Sequence, residues 1–285
     1  MAKPSVPTCR VYATSPPVRM RRNNLPPCVL SIAGSDSGSA AGAQADLKTF
    51  SAYGVHGLTA ITAVTAQNTR AITAIRVLPQ SMLLAQLDAV LADFRIAAVK
   101  IGMLGNAANT RLVARWLCQH RLPNVVIDPV LVASSGGRLL ADNAIAVLRR
   151  ELLPLAHMLT PNVPEAETLL GRPIQTYSDM RIAAKDLRGL GARSVLIKGG
   201  HLDTAQVRDH FSDDDGDLEF RHRRRDYSVR GTGCTLASAV AAGLALGLST
   251  CDAVERAERY LQRAFRAAQR LGRGPSHILQ HHLPN

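Results

Sequence analysis

Short apolar runs alternate with amphipathic or mixed stretches along most of the chain. The apolar runs predict strands at 29–33, 58–66, 98–101, 125–127, 158–160 and 194–197. The stretches between them predict helices at 44–53, 80–94, 109–120 and 143–150, one helix that ends at residue 190, and a helix of small residues at 236–248. Because strands alternate with helices, we predict a single α/β domain with a mostly parallel central sheet and helices on both faces.

Two stretches depart from this alternation. Residues 1–26 are rich in proline and arginine and show no hydrophobic periodicity, so we predict a disordered basic N-terminal extension ahead of a folded domain at 27–285. The extension lacks the apolar core of a signal peptide. The polar stretch 201–226 predicts an irregular antiparallel hairpin at the sheet edge.

The composition indicates a globular protein and argues against membrane and disulfide-rich classes. With 46% hydrophobic and 20% charged residues in 285, the chain is typical of a soluble globular protein. No apolar run is long and continuous enough to span a bilayer, so we expect no membrane partner. Five scattered cysteines without metal-ligand spacing argue against a disulfide scaffold and predict a cytoplasmic location.

The net charge of +12 raises the question of nucleic-acid binding. The basic residues are dispersed, and aromatic residues make up only 4% of the chain, so there is no basic stripe with interleaved aromatic side chains. We therefore expect no nucleic-acid partner. A generally basic surface that attracts nucleotide substrates accounts for the charge equally well.

Polar residues and glycines follow the predicted strands directly. They are Gly34, Gln67, Met103, Asp128, Asn162, Glu165 and Lys198, counting the short turn after each strand. In open α/β sheets, ligands bind at the carboxyl ends of the strands. We therefore expect these residues to surround one site.

The stretch 230–235 stands immediately before the small-residue helix. Gly231, Thr232 and Gly233 let backbone N–H groups converge at a helix N-terminus, which predicts a cradle for an anion such as a phosphoryl group. The helix dipole would also favour the thiolate form of Cys234. Alternatively, the glycines form only a tight turn and the cysteine is a small buried residue.

Phosphoryl transfer requires further groups, which the strand ends can supply. Asp128 and Glu165 offer the hard oxygen ligands that suit Mg²⁺, Lys198 can pair with phosphate oxygens, and Cys234 can take the acceptor proton. Each group has a structural alternative. Asp128 before Pro129 can be a turn former, Glu165 the first-turn acid of a helix, and Lys198 a solvated strand end.

The histidines offer no metal-ligand spacing. We expect His281 and His282, near the end of the chain, to be exposed and inert.

Eight short segments occur in an order that is typical of one family. They are IAGSD at 32–36, QADLKT at 44–49, AQNT at 66–69, KIGML at 100–104, DPV at 128–130, TPNVPEA at 160–166, KGGH at 198–201 and GTGCT at 231–235. From about Cys28 onward the chain resembles the hydroxymethylpyrimidine/phosphomethylpyrimidine kinases of thiamine biosynthesis, which belong to the ribokinase superfamily.

The resemblance implies a ribokinase-like fold, a homodimer, and the use of ATP and Mg²⁺. It implies phosphorylation of 4-amino-5-hydroxymethyl-2-methylpyrimidine, and then of its monophosphate to the diphosphate. Two alternatives stay open at this point. One is a pyridoxal or pyridoxine kinase of the same fold, and the other is a ligand-binding protein that has kept the fold without catalysis.

The resemblance also implies roles for single residues. The substrate would be bound by Gln67, Gly34, Asp46, Met103 and Val130. The nucleotide would be bound by Lys198, Asn162 and Thr160, and the metal by Asp128 and Glu165. Cys234 would be the catalytic base beside the cradle of Gly231, Thr232 and Gly233.

Three positions depart from the family pattern. Ser39 and Ala40 stand where the first loop usually has more glycine, and Arg230 stands where histidine is usual. The segment 206–227 matches the family poorly.

Overall fold

Strands and helices alternate along the part of the chain that the structure, a computed structural model, describes, namely residues 25–131 and 142–282. The strands are β1 Cys28–Asp36, β2 His56–Gln67, β3 Ile72–Val77, β4 Ile96–Ile101, β5 Val125–Ile127, β6 Met158–Leu159, β7 Ser194–Ile197, β8 Gln206–Ser212, β9 Asp217–Arg223, β10 Val229–Arg230 and β11 His277–Ile278. The helices are α1 Gly42–Tyr53, α2 Gln80–Asp93, α3 Ala107–His120, α4 Asp142–Val147, α5 Val163–Leu170, α6 Tyr177–Gly189, α7 Thr232–Ala245 and α8 Thr250–Arg266. A π-helical turn follows α4, and short 3-10 turns lie before β6 and after β7.

Nine of these strands form one sheet in the order β3-β2-β1-β4-β5-β6-β7-β8-β9. The run from β2 to β7 is parallel, whereas β3, β8 and β9 each pair antiparallel with their neighbours. The strands β10 and β11 form a separate parallel pair. The prediction of one α/β domain with a mostly parallel sheet is confirmed, and so is the antiparallel hairpin at the sheet edge.

Helices cover both faces of the sheet, which is why the central strands are apolar without alternation. In β5, Val125 and Ile127 point into one core while Val126 points into the other. The first core includes Leu83 of α2 and side chains of α3, α5 and α6. The second includes Tyr260 of α8 and side chains of α1 and α7.

Several elements differ from the prediction. Strand β3, ITAIRV at the sheet edge with mostly exposed side chains, was not predicted, and neither were the two-residue strands β10 and β11. Helix α8 was not predicted either, although its buried side chains recur along one face. The helix predicted to end at residue 190 is two helices, because Gly171 ends α5 at a φ of 72° and a capping box of Thr176 and Asp179 begins α6.

The predicted N-terminal extension at 1–26 lies outside the described residues, except for Leu25 and Pro26. In the ranges that the structure covers, no helix is both long and apolar enough to cross a membrane.

A buried polar cluster joins four elements beneath the carboxyl ends of the strands. Lys100 of β4 donates to Asp46 of α1 at 3.0 Å, and both side chains are fully buried. Asp46 also accepts from Ser31 of β1 at 2.6 Å and from Ser238 of α7 at 2.7 Å. Burial by itself lowers the pKa of Lys100, but the charges of Asp46, Cys234 and Asp128 and the hydrogen bond to Asp46 together raise that pKa above its ordinary value. Lys100 is therefore a cation inside the core.

Removing one member of this pair should cost far more than removing a surface ion pair. Lys100→Met leaves Asp46 without a counter-charge in the core, so we expect the free energy of unfolding to fall by about 3–5 kcal/mol. Arg259→Met, which removes an exposed pair with Glu255 on α8, should change it by less than about 1 kcal/mol. Urea unfolding followed by circular dichroism measures both. Wild-type stability of Lys100→Met would mean that Asp46 is not ionised in the folded protein.

Candidate active site

One cavity of about 920 Å³ opens at the carboxyl ends of the parallel strands. Most of the predicted site residues line it together: Gly34, Gln67, Met103, Asp128, Val130, Asn162, Glu165, Lys198, Gly231, Thr232, Gly233 and Cys234. The strand ends bring these residues together because neighbouring parallel strands all finish at the same edge of the sheet.

The predicted anion cradle is the N-terminus of α7. The first backbone hydrogen bond of the helix joins the Thr235 amide to the Gly231 carbonyl at 2.9 Å, so the amides of Thr232, Gly233 and Cys234 have no acceptor within the helix. Gly231 takes a φ of 81°, and a Cβ there would collide with the Ala40 carbonyl oxygen. Glycine is thus required at this position, where the first loop lies directly against the cradle.

The thiol of Cys234 lies in the first turn of α7, above the Lys100–Asp46 pair. Burial raises the pKa of this thiol to about 12, the Lys100 charge lowers it, and the charges of Asp128 and Asp46 raise it further. The pKa of the thiol thus lies above its ordinary value, contrary to the prediction that the thiolate is favoured. Desolvation and the two carboxylates raise this pKa by more than Lys100 lowers it.

Two carboxylates converge on one lysine at the next strand ends. The Nζ of Lys198 lies 3.1 Å from Oδ1 of Asp128 and 4.0 Å from Oε2 of Glu165. Lys198 is only 16% exposed, so it is a paired cation and the alternative of a solvated strand end is wrong. Burial raises the pKa of Glu165, Lys198 lowers it and Asp128 raises it, so that the pKa lies above its usual range. The two carboxylates of Asp128 and Glu165 are thus balanced by only one positive charge, that of Lys198.

Glu165 has a structural role as well. Its side chain accepts from the Asn162 amide at 2.8 Å, and the Asn162 side chain accepts from the Glu165 amide at 2.9 Å. This capping box begins α5, so the alternative of a first-turn acid is confirmed. The role in the cap holds the carboxylate at the cavity wall, which is compatible with a second role there.

The other end of the cavity is lined by less polar groups. Gly34 lies against Met103, and a Cβ at position 34 would come within 3.2 Å of Sδ of Met103. Val130 and Gln67 complete this part of the wall. Oε1 of Gln67 lies 3.4 Å from the Thr65 hydroxyl, at the limit of a hydrogen bond, so its amide can turn to another partner.

Three predictions are not met by the structure. Asp46 does not line the cavity but lies beneath it, with its oxygens engaged by Lys100, Ser31 and Ser238. Thr160 does not line it either: it is fully buried, and its hydroxyl lies 3.4 Å from the Ile127 carbonyl. His281 is buried rather than exposed, and its Nε2 lies 2.9 Å from the Thr235 hydroxyl of α7.

Several residues of the cavity were not predicted. Lys100 could have been found, because a lysine within the apolar strand IAAVKI needs a buried partner or a function. Asp209, His222 and the arginines 223–225 line the cavity from the β8–β9 hairpin and the segment after it. The sequence predicted a hairpin here but gave no indication that these side chains would line the cavity.

The chain is similar to curated proteins of one family. The profile of the family described as phosphomethylpyrimidine kinase matches residues 36–278. A hydroxymethylpyrimidine/phosphomethylpyrimidine kinase of Rhizobium meliloti is 46% identical over 260 residues, covering 87% of this chain and 95% of that protein. The thiamine biosynthesis bifunctional protein ThiED of Geobacter sulfurreducens is 46% identical over 255 residues, and the chain spans about half (52%) of its length.

Solved structures share the fold at similar coverage. An ADP complex of Bacillus subtilis pyridoxal kinase superposes with a TM-score of 0.83 at 34% identity, covering 90% of this chain and 97% of that one. A phosphomethylpyrimidine kinase of Clostridium difficile superposes with a TM-score of 0.76 at 38% identity, covering 84% and 99%. The match of the family profile and the level of identity to the relatives show that this chain belongs to the phosphomethylpyrimidine kinase family.

Proposed function

We propose that this chain transfers a phosphoryl group from ATP to 4-amino-5-hydroxymethyl-2-methylpyrimidine and then to its monophosphate, a step in thiamine biosynthesis. One observation carries the proposal: a single cavity joins an anion cradle, two carboxylates around a lysine, and a less polar region with the Gln67 amide. The cradle, the carboxylates and the lysine are parts that phosphoryl transfer needs. The less polar region is suited to a flat heterocycle with a polar edge.

The phosphates of ATP would lie between Lys198 and the N-terminus of α7. The amides of residues 232–234 would donate to phosphate oxygens, and the helix dipole would add partial positive charge. Lys198 would exchange its contact with Asp128 for one with a phosphate oxygen. Asn162, which lies beside Lys198 in a parallel bridge, would fix the position of that strand end.

Asp128 and Glu165 suit Mg²⁺ in both chemistry and charge. Both side chains offer hard oxygen ligands. Their two negative charges are balanced only in part by the single positive charge of Lys198, and a divalent ion would compensate the excess. Bound Mg²⁺ would neutralise charge on the transferred phosphoryl group. The two carboxylates would hold the ion directly or through water.

Cys234 would take the proton of the substrate hydroxyl. Its thiol lies beside the cradle and above Lys100, whose charge lowers the pKa of the thiol against the effect of burial. The Lys100 ammonium is fixed in the core by its contact with Asp46, so its charge stays near the thiol.

The amide of Gln67 would select the substrate. An aminopyrimidine presents an N–H donor beside a ring-nitrogen acceptor, and a carboxamide can meet both with two hydrogen bonds. Met103 and Val130 would pack on the faces of the ring.

We further propose a homodimer. The exposed large apolar side chains of the described residues include Val64 of β2, Ile75 of β3, and Met82 and Leu84 of α2. Burial of such side chains against a second copy would remove apolar surface from water.

A pyridoxal kinase is the second candidate. Its support is the close superposition on the Bacillus subtilis pyridoxal kinase. Pyridoxal presents a phenolic oxygen and an aldehyde, which would leave the Gln67 amide partly unpaired on burial. We therefore favour the pyrimidine.

Loss of the Cys234 thiol should reduce turnover. Cys234→Ala should lower kcat by about 10²–10⁴, the usual contribution of a general base. Because the pKa of the thiol is raised to about 12, the wild-type rate should still be increasing with pH in alkaline buffers, and the variant should lose this increase. A coupled ADP-release assay across pH measures both. Cys251→Ala, at the start of α8 and outside the cavity, is the matched control. Near-wild-type turnover of Cys234→Ala would remove the thiol from the mechanism.

The metal requirement tests the carboxylates. Asp128→Asn and Glu165→Gln keep the shape of the side chains but remove charge, so each should raise the Mg²⁺ concentration needed for half-maximal rate. Since the pKa of Glu165 is raised, protons should compete with Mg²⁺ at pH values where an ordinary glutamate is still ionised. The wild-type requirement should thus increase as pH falls, and less so in Glu165→Gln. Asp93→Asn, exposed on α2, is the control. Unchanged titrations in both variants would leave these carboxylates with structural roles only.

Competition between substrates separates the two candidate functions. An unmet buried polar group costs about 1–3 kcal/mol, so the pyrimidine should exceed pyridoxal in kcat/KM by at least about tenfold. Gln67→Leu should narrow this gap chiefly by impairing use of the pyrimidine, whereas Gln119→Leu, exposed on α3, should leave it unchanged. Equal or better use of pyridoxal by the wild type would favour the second candidate.

A further inference from the structure

Three ionisable side chains from three elements meet beside the cavity, apart from the groups assigned to phosphoryl transfer. Asp209 lies on β8, His222 on β9 and Glu258 on α8. The Nε2 of His222 lies 3.0 Å from Oε2 of Glu258 and 3.4 Å from Oδ2 of Asp209. All three possible ligand atoms lie within 4.8 Å of one another.

The cluster is buried and incompletely satisfied. Glu258 is only 2% exposed, and none of the described residues supplies a hydrogen-bond partner of acceptable geometry for either of its oxygens or for Nε2 of His222. A buried carboxylate with unmet hydrogen-bonding capacity is costly, so groups of this kind are found fully paired or bound to metals. By contrast, Asp209 uses its second oxygen, Oδ1, to accept from the Gly199 amide at 2.7 Å, which fixes the direction of its carboxylate.

We propose that Asp209, His222 and Glu258 bind a divalent transition-metal ion of the zinc type. Tetrahedral zinc with bonds of about 2.0–2.2 Å places its ligand atoms about 3.3–3.6 Å apart, close to the separations found here. One imidazole nitrogen and two carboxylate oxygens form a set of three protein ligands, which leaves a fourth position for water. The imidazole favours Zn²⁺ over Mg²⁺, which prefers oxygen ligands alone.

The charges of the cluster agree with a cation at its centre. The carboxylates of Asp209 and Glu258 both face the imidazole of His222. A divalent ion held by these two carboxylates and a neutral imidazole would give a site without net charge.

The position of the site indicates what the ion would do. Asp209 and His222 also line the cavity, and both belong to the hairpin, while Glu258 belongs to α8. A bound ion would tie the hairpin to the helix at the edge of the active site. It would thereby stabilise this wall without taking part in the transfer.

Metal binding to the full-length protein tests the proposal independently of turnover. After treatment with a chelator, the protein is titrated with Zn²⁺ alone in weak buffer near pH 8. We expect about one tightly bound Zn²⁺ per chain. Replacement with Co²⁺ should give the visible absorption of a four-coordinate ion with nitrogen and oxygen ligands, without a thiolate charge-transfer band.

Variants locate the ion. Glu258→Gln and His222→Gln should each weaken Zn²⁺ binding by more than the roughly 10- to 100-fold cost of losing an outer-shell partner. Glu255→Gln, on an exposed part of the same helix, should bind as the wild type does. Should Glu258→Gln fail to fold, His222→Gln and the Co²⁺ spectrum of the wild type still decide. Absence of tight binding, binding that persists in both variants, or a thiolate band from Cys234 would overturn the proposal.

Discussion

The buried Lys100–Asp46 pair is the constraint on which the rest of the site depends. It joins β1, β4, α1 and α7, and it places a fixed positive charge beneath the thiol of Cys234. Because a lone charge at this depth would be strongly unfavourable, the packing of the four elements is much more stable with both partners present. The position of the helix that forms the anion cradle therefore follows from an ion pair that does not itself reach the phosphates.

The parts of the site that the sequence predicts are those with a local pattern. Asp128, Asn162 and Lys198 follow apolar strands, and strand order places all strand ends at one edge. Glycines before a small-residue helix likewise predict the cradle around Gly233. Because parallel strands all end at one edge of the sheet, a residue that follows an apolar strand in the sequence can be placed at the site without knowledge of other contacts.

Other features depend on contacts between distant segments, which no spacing encodes. The ligands Asp209, His222 and Glu258 come together only because the hairpin packs beside α8. His281 is buried because α7 offers it the Thr235 hydroxyl. The pKa of Cys234 depends on such contacts as well. The position of the thiol at a helix N-terminus can be read from the sequence, whereas the burial and the neighbouring carboxylates that raise its pKa cannot.

The hairpin also has a consequence for aggregation. It ends the sheet with β9, whose open backbone could pair with a strand of another molecule. Along β9, charges of both signs alternate with other residues at Asp217, Glu219, Arg221 and Arg223. A second copy approaching this edge would have to desolvate these charges, which discourages continuous sheets between molecules. The charges of β9 thus protect this edge of the nine-stranded sheet from acting as a template for fibres at high protein concentration.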